Sequence, residues 1–276
     1  MFRVEQSITL YIAMGKIITI CNQKGGTGKT TSAINLSTYL ALAEKKVVLI
    51  DLDPQANATS GIGVNKHNIK KSIYHVLLEE LDIKEILQAT AVKNLWLAPS
   101  NLDLTGAEVE LVGALGREHR LKRALIKEKE NFDFIIIDSP PSLGLLTVNA
   151  LCAADSVIIP LQCEFYALEG LTQLVNTINL IRDNLNPNLN IEGVILTMAD
   201  FRTNLTKEVI QEARNYFKNK VYDTVIPRNI RLTEAPSFGQ PVALYDNNSI
   251  GAQKYAELTQ EILGLNQNFE QLKPGV

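Results

Sequence analysis

The sequence predicts a single α/β domain built on a doubly wound, mostly parallel sheet with helices on both faces. Continuous apolar runs rich in β-branched residues recur along the chain, as they do in strands that are buried on both faces of a parallel sheet. Stretches with helical periodicity separate these runs from end to end, which is the alternation typical of this fold class. Such a fold binds its ligands at the carboxyl ends of the strands.

Seven apolar runs are predicted to be strands. They cover residues 17–21, 47–50, 95–98, 134–137, 157–161, 194–196 and 225–226. The periodic stretches predict helices at residues 30–43, 168–185, 205–217 and 251–263. In the less regular part of the chain we expect short helices at 72–78 and 83–87 and a longer helical stretch over 107–125.

Composition excludes several classes of protein. The chain has 276 residues, of which 46% are hydrophobic and 21% are charged, so it is neither disordered nor fibrous. Its 27 basic and 30 acidic residues give a net charge of −3, and any contact with DNA therefore requires a local patch. Three scattered cysteines fit no disulfide framework, which predicts a cytoplasmic protein. No apolar run reaches the roughly 18 residues of a membrane-spanning helix.

The strongest motif follows the first predicted strand and leads directly into a helix. Residues 23–31 read Gln-Lys-Gly-Gly-Thr-Gly-Lys-Thr-Thr, a variant P-loop because Gln23 stands where the first glycine belongs. Glycines let successive backbone N–H groups converge on phosphate oxygens, and the dipole of the following helix adds to this attraction. The residues predicted to contact the nucleotide here are Lys24, Gly25, Gly26, Thr27, Gly28, Lys29, Thr30 and Thr31.

Two side chains of the loop have a further predicted role. Lys29 supplies a positive charge to the outer phosphates. The hydroxyl of Thr30 is the natural ligand for Mg²⁺, because a nucleotide-bound Mg²⁺ takes few protein ligands and keeps several waters.

Acidic residues follow two of the predicted strands. Asp51 and Asp53 come after the second strand, and if the extended conformation continues, both point to the same side at the carboxyl edge of the sheet. One of them can orient a water molecule, although paired acids at this place can instead cap a helix. Asp138 ends the apolar strand at 134–137, which is the Walker B pattern of a carboxylate that holds Mg²⁺ directly or through water.

The loop and four further segments resemble the chromosome-partitioning ATPases of the short ParA (Soj) type, within the ParA/MinD class. The loop matches the deviant Walker A motif of that class. The other segments are Asp-Pro-Gln-Ala-Asn-Ala-Thr-Ser-Gly (53–61), Cys-Glu-Phe-Tyr-Ala-Leu-Glu-Gly (163–170), Thr-Met-Ala-Asp-Phe-Arg-Thr-Asn-Leu (197–205) and Ile-Pro-Arg-Asn-Ile-Arg-Leu-Thr-Glu-Ala-Pro-Ser (226–237). The resemblance implies an Mg²⁺-dependent ATPase with a deviant P-loop fold.

The same resemblance implies the partners of the protein and the roles of several residues. It implies an ATP-dependent homodimer that binds DNA without sequence preference on the nucleoid, and slow hydrolysis that a ParB-type partner stimulates. Lys24 would reach the phosphates of the partner subunit, so that Lys24 and Lys29 join Asp53 as the catalytic residues. Asp53 would position the attacking water, and Asp51 would support the metal site indirectly.

Resemblance also assigns residues near the end of the chain. Pro227 and Asn229 would flank the adenine, and Arg202 and Arg231 would belong to the DNA-contacting surface. Residues 198–231 contain seven basic and four acidic residues, a modest local excess of positive charge that a solvated helix face would also explain.

The resemblance divides the chain into three parts. The ATPase domain is expected over 15–265, with an N-terminal extension over 1–14 and a C-terminal tail over 266–276. Because Met14-Gly15-Lys16 resembles the N-terminus of family members, residues 1–13 are interpreted as lying upstream of the true start.

Other readings of the loop remain. A MinD-type membrane-cycling ATPase needs a basic amphipathic C-terminal helix, whereas residues 249–276 carry two lysines and three glutamates, and no membrane partner is expected. An iron–sulfur reductase needs cysteines between its subunits, and after Asp138 the first cysteine is Cys152, within a predicted helix. The third alternative is a DNA-binding regulator that uses ATP as a switch without significant turnover.

Overall fold

The computed structural model describes residues 15–164 and 169–265. The predicted N-terminal extension, the predicted C-terminal tail and part of the 163–170 segment lie outside the described residues.

Eight strands form one sheet. They are β1 (Lys16–Ile20), β2 (Val47–Asp51), β3 (Gln88–Ala89), β4 (Leu95–Ala98), β5 (Phe134–Asp138), β6 (Ser156–Gln162), β7 (Asn190–Ala199) and β8 (Val221–Pro227). Their order across the sheet is β3-β4-β2-β5-β1-β6-β7-β8, and all neighbours are parallel except β3 and β4. The predicted doubly wound, mostly parallel sheet is confirmed.

Helices connect the strands and cover both faces of the sheet. In the described part of the chain they are α1 (Lys29–Leu42), α2 (Asn57–Gly61), α3 (Ile73–Leu78), α4 (Leu104–Glu110), α5 (Arg120–Leu125), α6 (Leu145–Ala153), α7 (Glu169–Asn184), α8 (Asn204–Phe217), α9 (Ile230–Glu234), α10 (Val242–Tyr245) and α11 (Ile250–Leu263). None of the helices in the described ranges is both long enough and apolar enough to cross a bilayer.

Two hydrophobic clusters lie on opposite faces of the sheet. Ile17 belongs to the cluster that α3 to α8 cover, whereas Ile18 belongs to the cluster under α1, α2, α9, α10 and α11. The same alternation separates Ile135 from Ile136. Successive side chains of a strand point to opposite faces, and both faces are buried here, which explains why these strands are continuous apolar runs in the sequence.

Two local predictions were wrong. The stretch over 107–125 is not one helix: it divides into α4, two short 3₁₀ turns and α5. Gly116 lies between them with a φ of +60°, in the left-handed region that interrupts a right-handed helix. The short helix predicted at 83–87 is only a 3₁₀ turn over Ile83–Glu85, because β3 begins at Gln88 and takes the chain to the edge of the sheet.

Candidate functional site

The glycine-rich loop connects the end of β1 to the start of α1 at the carboxyl ends of the strands. Gly26 and Gly28 have φ angles of +75° and +87°, which residues with a Cβ adopt at a cost. Gly28 is the N-cap of α1, so the free N–H groups of this helix begin where the loop ends. A backbone of this shape presents amides and the positive end of a helix to an anion.

Two residues that the sequence analysis did not single out hold the loop in place. The Asn22 side chain donates from Nδ2 to the carbonyl oxygen of Pro160 in β6 at 2.7 Å, and its Oδ1 accepts from the backbone N–H of Lys24 at 3.0 Å. On the other side, the Thr197 hydroxyl of β7 donates to the Thr27 carbonyl at 2.9 Å. The loop is therefore fixed to the two strands that follow β1 on one side of the sheet.

The two lysines of the loop differ in their surroundings. Lys29 is 7% exposed, and its Nζ donates to the carbonyl oxygen of Lys24 at 3.0 Å. Burial lowers the pKa of Lys29, and the nearby negative charge of Asp138 opposes this shift. Lys24 is half-buried. Its backbone N–H donates to Asn22, and its carbonyl oxygen accepts from Lys29. The ammonium of Lys29 thus lies beside the loop and close to the acidic residues.

Asp51 and Asp138 lie directly opposite each other on β2 and β5, and Asp138 is also opposite Ile20 of β1. Burial raises the pKa of Asp51 to about 6, against three hydrogen bonds that favour its charged form. Burial also raises the pKa of Asp138 well above its usual range, and the charge of Asp51 adds to the effect. The carboxyl edge of the central strands therefore concentrates negative charge next to Lys29.

Both carboxylate oxygens of Asp51 already accept hydrogen bonds from this chain. Its Oδ2 accepts from the backbone N–H and the hydroxyl of Thr59, both at 2.7 Å, and its Oδ1 accepts from the N–H of Asp53 at 3.2 Å. Thr59 lies in the first turn of α2, whose N-cap is Ala56. The alternative interpretation was that an acid at this place caps a helix, and Asp51 does accept from a backbone N–H in the first turn of α2. Its contacts suit indirect support of the site rather than direct ligation.

Asp138 is the acid that fits a metal ion. Both of its carboxylate oxygens are buried and have no partner at good hydrogen-bond geometry among the residues that the structure describes, although the Thr30 hydroxyl and the Lys29 ammonium are close enough to favour its charged form and oppose the rise in its pKa. An unpartnered buried carboxylate is costly unless a cation or its water shell compensates it. Thr30 lies in the first turn of α1, half-buried. Within 15–164 and 169–265, no group of three His, Cys, Asp or Glu residues could hold a metal, so Mg²⁺ would need phosphate oxygens and water as further ligands.

Asp53 lies two residues beyond the end of β2, which stops at Asp51, so strand pairing does not extend to it. The chain instead turns here: Oδ1 of Asp53 accepts from the N–H of Gln55 at 2.9 Å, and its carbonyl accepts from the Ser100 hydroxyl at 2.8 Å. Asp53 nevertheless lies near the other two carboxylates. Its negative charge is one of the causes that raise the pKa of Asp51 and of Asp138. It is 8% exposed and has a second carboxylate oxygen outside the Gln55 contact.

A cleft of about 350 Å³ opens beside the loop. Its lining includes Gly28 and Thr31 from the loop side and Pro227 and Asn229 from the end of β8. Tyr255 of α11 also lines it and shares a 3.0 Å hydrogen bond with Ser32. The structure therefore brings the two residues predicted to flank the adenine to the same cleft as the phosphate loop.

Of the two predicted DNA-contacting arginines, Arg202 lies in the turn that follows β7 and Arg231 lies in the first turn of α9, which follows β8. Arg202 is strongly exposed and forms an ion pair with Asp200 at 2.6 Å. Arg231 is half-exposed and pairs with Glu234 at 2.9 Å and with Asp246 at 3.1 Å. Both arginines are thus at the same edge of the sheet as the cleft, and both are held by carboxylates of this chain.

A glycine loop that leads from a buried strand into a helix, with a lysine and carboxylates of the adjacent strands around it, defines an α/β protein of the P-loop class. A family model described as an AAA domain matches residues 15–191. The sporulation initiation inhibitor protein Soj of Bacillus subtilis is 57% identical over 90% of this chain and 98% of its own length. The chromosome partitioning protein ParA of Myxococcus xanthus is 53% identical over 92% of this chain and 89% of its own.

A solved structure has the same fold as this chain. Cobyrinic acid a,c-diamide synthase of Mycobacterium smegmatis, with a bound ATP analogue and magnesium, has a TM-score of 0.80 and 36% identity, and covers 90% of this chain and 94% of its own. The chain belongs to the ParA/Soj family of chromosome-partitioning ATPases.

Proposed function

We propose that this protein hydrolyses ATP with Mg²⁺ and uses the cycle to partition DNA. The observation that carries the proposal is the meeting of the phosphate loop, Lys29 and the unpartnered Asp138 at one edge of the sheet. The high identity to proteins that bear chromosome-partitioning names supports the biological role. ATP would lie with its base in the cleft beside Pro227 and Asn229 and its phosphates over residues 24–31.

Each residue of the site has a proposed task. The amides of Gly25, Gly26 and Gly28 would bind phosphate oxygens, and Lys29 would leave the Lys24 carbonyl to bind the outer phosphates. Thr30 and Asp138 would hold Mg²⁺, which when bound neutralises phosphate charge.

The second carboxylate oxygen of Asp53 would orient the attacking water. Asp51 would act on the site indirectly, because its bonds to Thr59 and to the N–H of Asp53 fix the turn that carries Asp53.

The active form is proposed to be a homodimer that assembles on ATP, with Lys24 of each subunit reaching the nucleotide of the other. Exposed apolar side chains around α4 support an interface on this side of the molecule: Leu102, Val109, Val112 and Leu115. These side chains follow Ser100, which contacts the Asp53 carbonyl, so the apolar surface begins next to the nucleotide site. Burying such a surface favours association.

The dimer is proposed to bind DNA of any sequence on the nucleoid, in the cytoplasm, and to leave it when a ParB-type partner stimulates hydrolysis. Arg202 and Arg231 would contact backbone phosphates, which carry no sequence information. The remaining alternative is a DNA-binding regulator that uses ATP as a switch without significant turnover. Measurable ATP hydrolysis would favour the partitioning function over this alternative.

The test is DNA binding measured with ATP, with ADP and without nucleotide, on several duplexes of unrelated sequence. We expect binding in ATP, little in ADP, and the same affinity for every duplex. Binding that ignores the nucleotide, or binding to anionic vesicles in place of DNA, would contradict the proposal. The vesicle result would favour a membrane-cycling ATPase of the MinD type.

A further inference from the structure

Three arginines at the carboxyl ends of β7 and β8 are each paired with carboxylates of the same chain. The arginines are Arg202, Arg228 and Arg231. Arg228 was not among the residues predicted to contact DNA, yet it lies between the other two in the chain and lines both the nucleotide cleft and the shallow pocket that contains Arg231.

The pair between Arg202 and Asp200 has the geometry of a phosphate contact. Nε of Arg202 donates to Oδ1 of Asp200 at 2.8 Å and Nη2 donates to Oδ2 at 2.6 Å, so the planar guanidinium faces the planar carboxylate with two parallel bonds. The Arg202 side chain is 89% exposed, which leaves it free to exchange partners. A guanidinium binds a phosphate with the same two-pronged arrangement.

The other two arginines repeat the pattern. Arg231 donates from Nη1 to Glu234 at 2.9 Å, and its Nε lies 3.1 Å from Asp246. Arg228 donates from Nη2 to Glu164 at 2.7 Å. Three arginine charges thus face four carboxylates, and this arginine cluster carries a net negative charge that would repel DNA as it stands.

We propose that Arg202, Arg228 and Arg231 form a phosphate-binding surface that its own carboxylates keep closed, and that DNA binds when backbone phosphates replace those carboxylates. This rests on the proposed function, since it concerns the same DNA, and it adds Arg228 and the four acids to the surface. Exchange is feasible because exposed ion pairs contribute little to stability and each arginine regains an equivalent partner.

The same loops connect the arginine cluster to the nucleotide. Thr197 and Met198 line the nucleotide cleft just before Asp200, and Pro227 lines it just before Arg228. Met198 has a φ of +54°, a strained conformation for a residue with a long side chain, at the point where β7 leaves the cleft. The N–H of Arg228 also bonds to the Ala199 carbonyl at 3.1 Å, which ties the two loops together. A nucleotide in the cleft would therefore contact the segments that hold the arginine–carboxylate pairs.

The experiment measures the affinity for a fluorescent 30-base-pair duplex in ATP and in ADP, over a range of salt, for the wild type, Asp200→Asn and Glu234→Gln. Asparagine keeps an oxygen for the N–H of Arg202, and glutamine keeps one for Tyr245, so the loops retain their contacts. The matched control is Glu85→Gln, which removes an exposed carboxylate paired with Lys71 at 2.8 Å, outside the arginine cluster.

We expect Asp200→Asn and Glu234→Gln each to bind DNA about three- to tenfold more tightly, with measurable binding in ADP. The plot of log affinity against log salt concentration should steepen by up to about two units per dimer. In the variants, each arginine displaces counterions from DNA without first giving up a bond to a carboxylate, which would itself take up cations. The control should bind as the wild type does. Unchanged or weaker DNA binding by both variants, or an equal gain in affinity by the control, would overturn this inference. In that case the proposed function still holds, provided that the wild type binds DNA in ATP. If the wild type and all variants fail to bind DNA in ATP, the proposed function itself is wrong.

Discussion

Asn22 is expected to govern the shape of the phosphate loop although it lies before the motif and is not expected to touch ATP. It is 4% exposed, and its side chain holds the loop through one bond to Pro160 and one from Lys24. The substitution Asn22→Ala removes both bonds and deprives a buried carbonyl and a loop amide of their partners. At about 1 kcal/mol for each lost bond and more for each buried group left unpaired, the free energy of unfolding should fall by about 2–4 kcal/mol.

ATP affinity should fall as well, because the N–H of Lys24 no longer has a fixed direction. Losing about 1 kcal/mol of ordering corresponds to roughly fivefold weaker binding. Urea denaturation and titration with a fluorescent ATP analogue measure the two effects separately. Asn184→Ala, at an exposed helical position, is the control and should change stability by less than about 0.5 kcal/mol.

Asn22→Asp sharpens the test. Aspartate retains an acceptor for the N–H of Lys24. It replaces Nδ2, which lies 2.7 Å from the Pro160 carbonyl oxygen, by a carboxylate oxygen that repels this carbonyl, so Asn22→Asp should lower the free energy of unfolding at least as much as Asn22→Ala. If Asn22→Ala unfolds at the wild-type urea concentration and binds ATP with wild-type affinity, the shape of the loop does not depend on Asn22 and this prediction is wrong.

Three further predictions concern the lysines, the buried acids and the DNA surface. Lys29→Ala should lose most ATP affinity, whereas Lys24→Ala should retain much of it and stay monomeric in ATP; an ATP-dependent dimer of Lys24→Ala in sedimentation would exclude the cross-subunit role. Without nucleotide, Asp51 alone should lower the stability by about 2 kcal/mol as the pH rises from 3.8 to 6, because its pKa is raised from 3.8 to about 6 in the folded state, which therefore holds this proton more tightly than the unfolded chain does; denaturation across this range should show a shallower fall for Asp51→Asn. Arg231→Ala should flatten the salt dependence of DNA binding by about two units per dimer with basal hydrolysis unchanged, and a wild-type slope would place the DNA surface elsewhere.

The sheet could be predicted from the sequence because its strands are buried on both faces and their apolar runs are unbroken. Strand β3 could not, since a two-residue antiparallel strand at the edge has no pattern of its own. The break between α4 and α5 had a signal in Gly113 and Gly116, but helical periodicity on both sides concealed it. Periodicity reports which face is buried, and it is insensitive to where a helix stops.

For the site, the sequence could predict the residues that are consecutive in the chain and not those that hold them. Asn22 reaches Pro160 across 138 residues, and Thr197 reaches Thr27 across 170. Such contacts follow from the order of the strands, which places β6 and β7 beside β1. Only the position of Asn22 immediately before the loop, and of Thr197 in a segment that resembles the family, could have drawn attention to them.

The role of Asp53 in hydrolysis is tested by phosphate release from ATP by the wild type and by Asp53→Ala, with ATP binding measured on the same samples. If the carboxyl edge of β1, β2 and β5 is the hydrolysis centre, Asp53→Ala should bind Mg·ATP with near wild-type affinity and release phosphate at least about 100-fold more slowly, because the nucleophile is no longer positioned while the phosphate contacts remain. Phosphate release at the wild-type rate by Asp53→Ala, with ATP bound normally, would show that Asp53 does not position the attacking water and that another residue does.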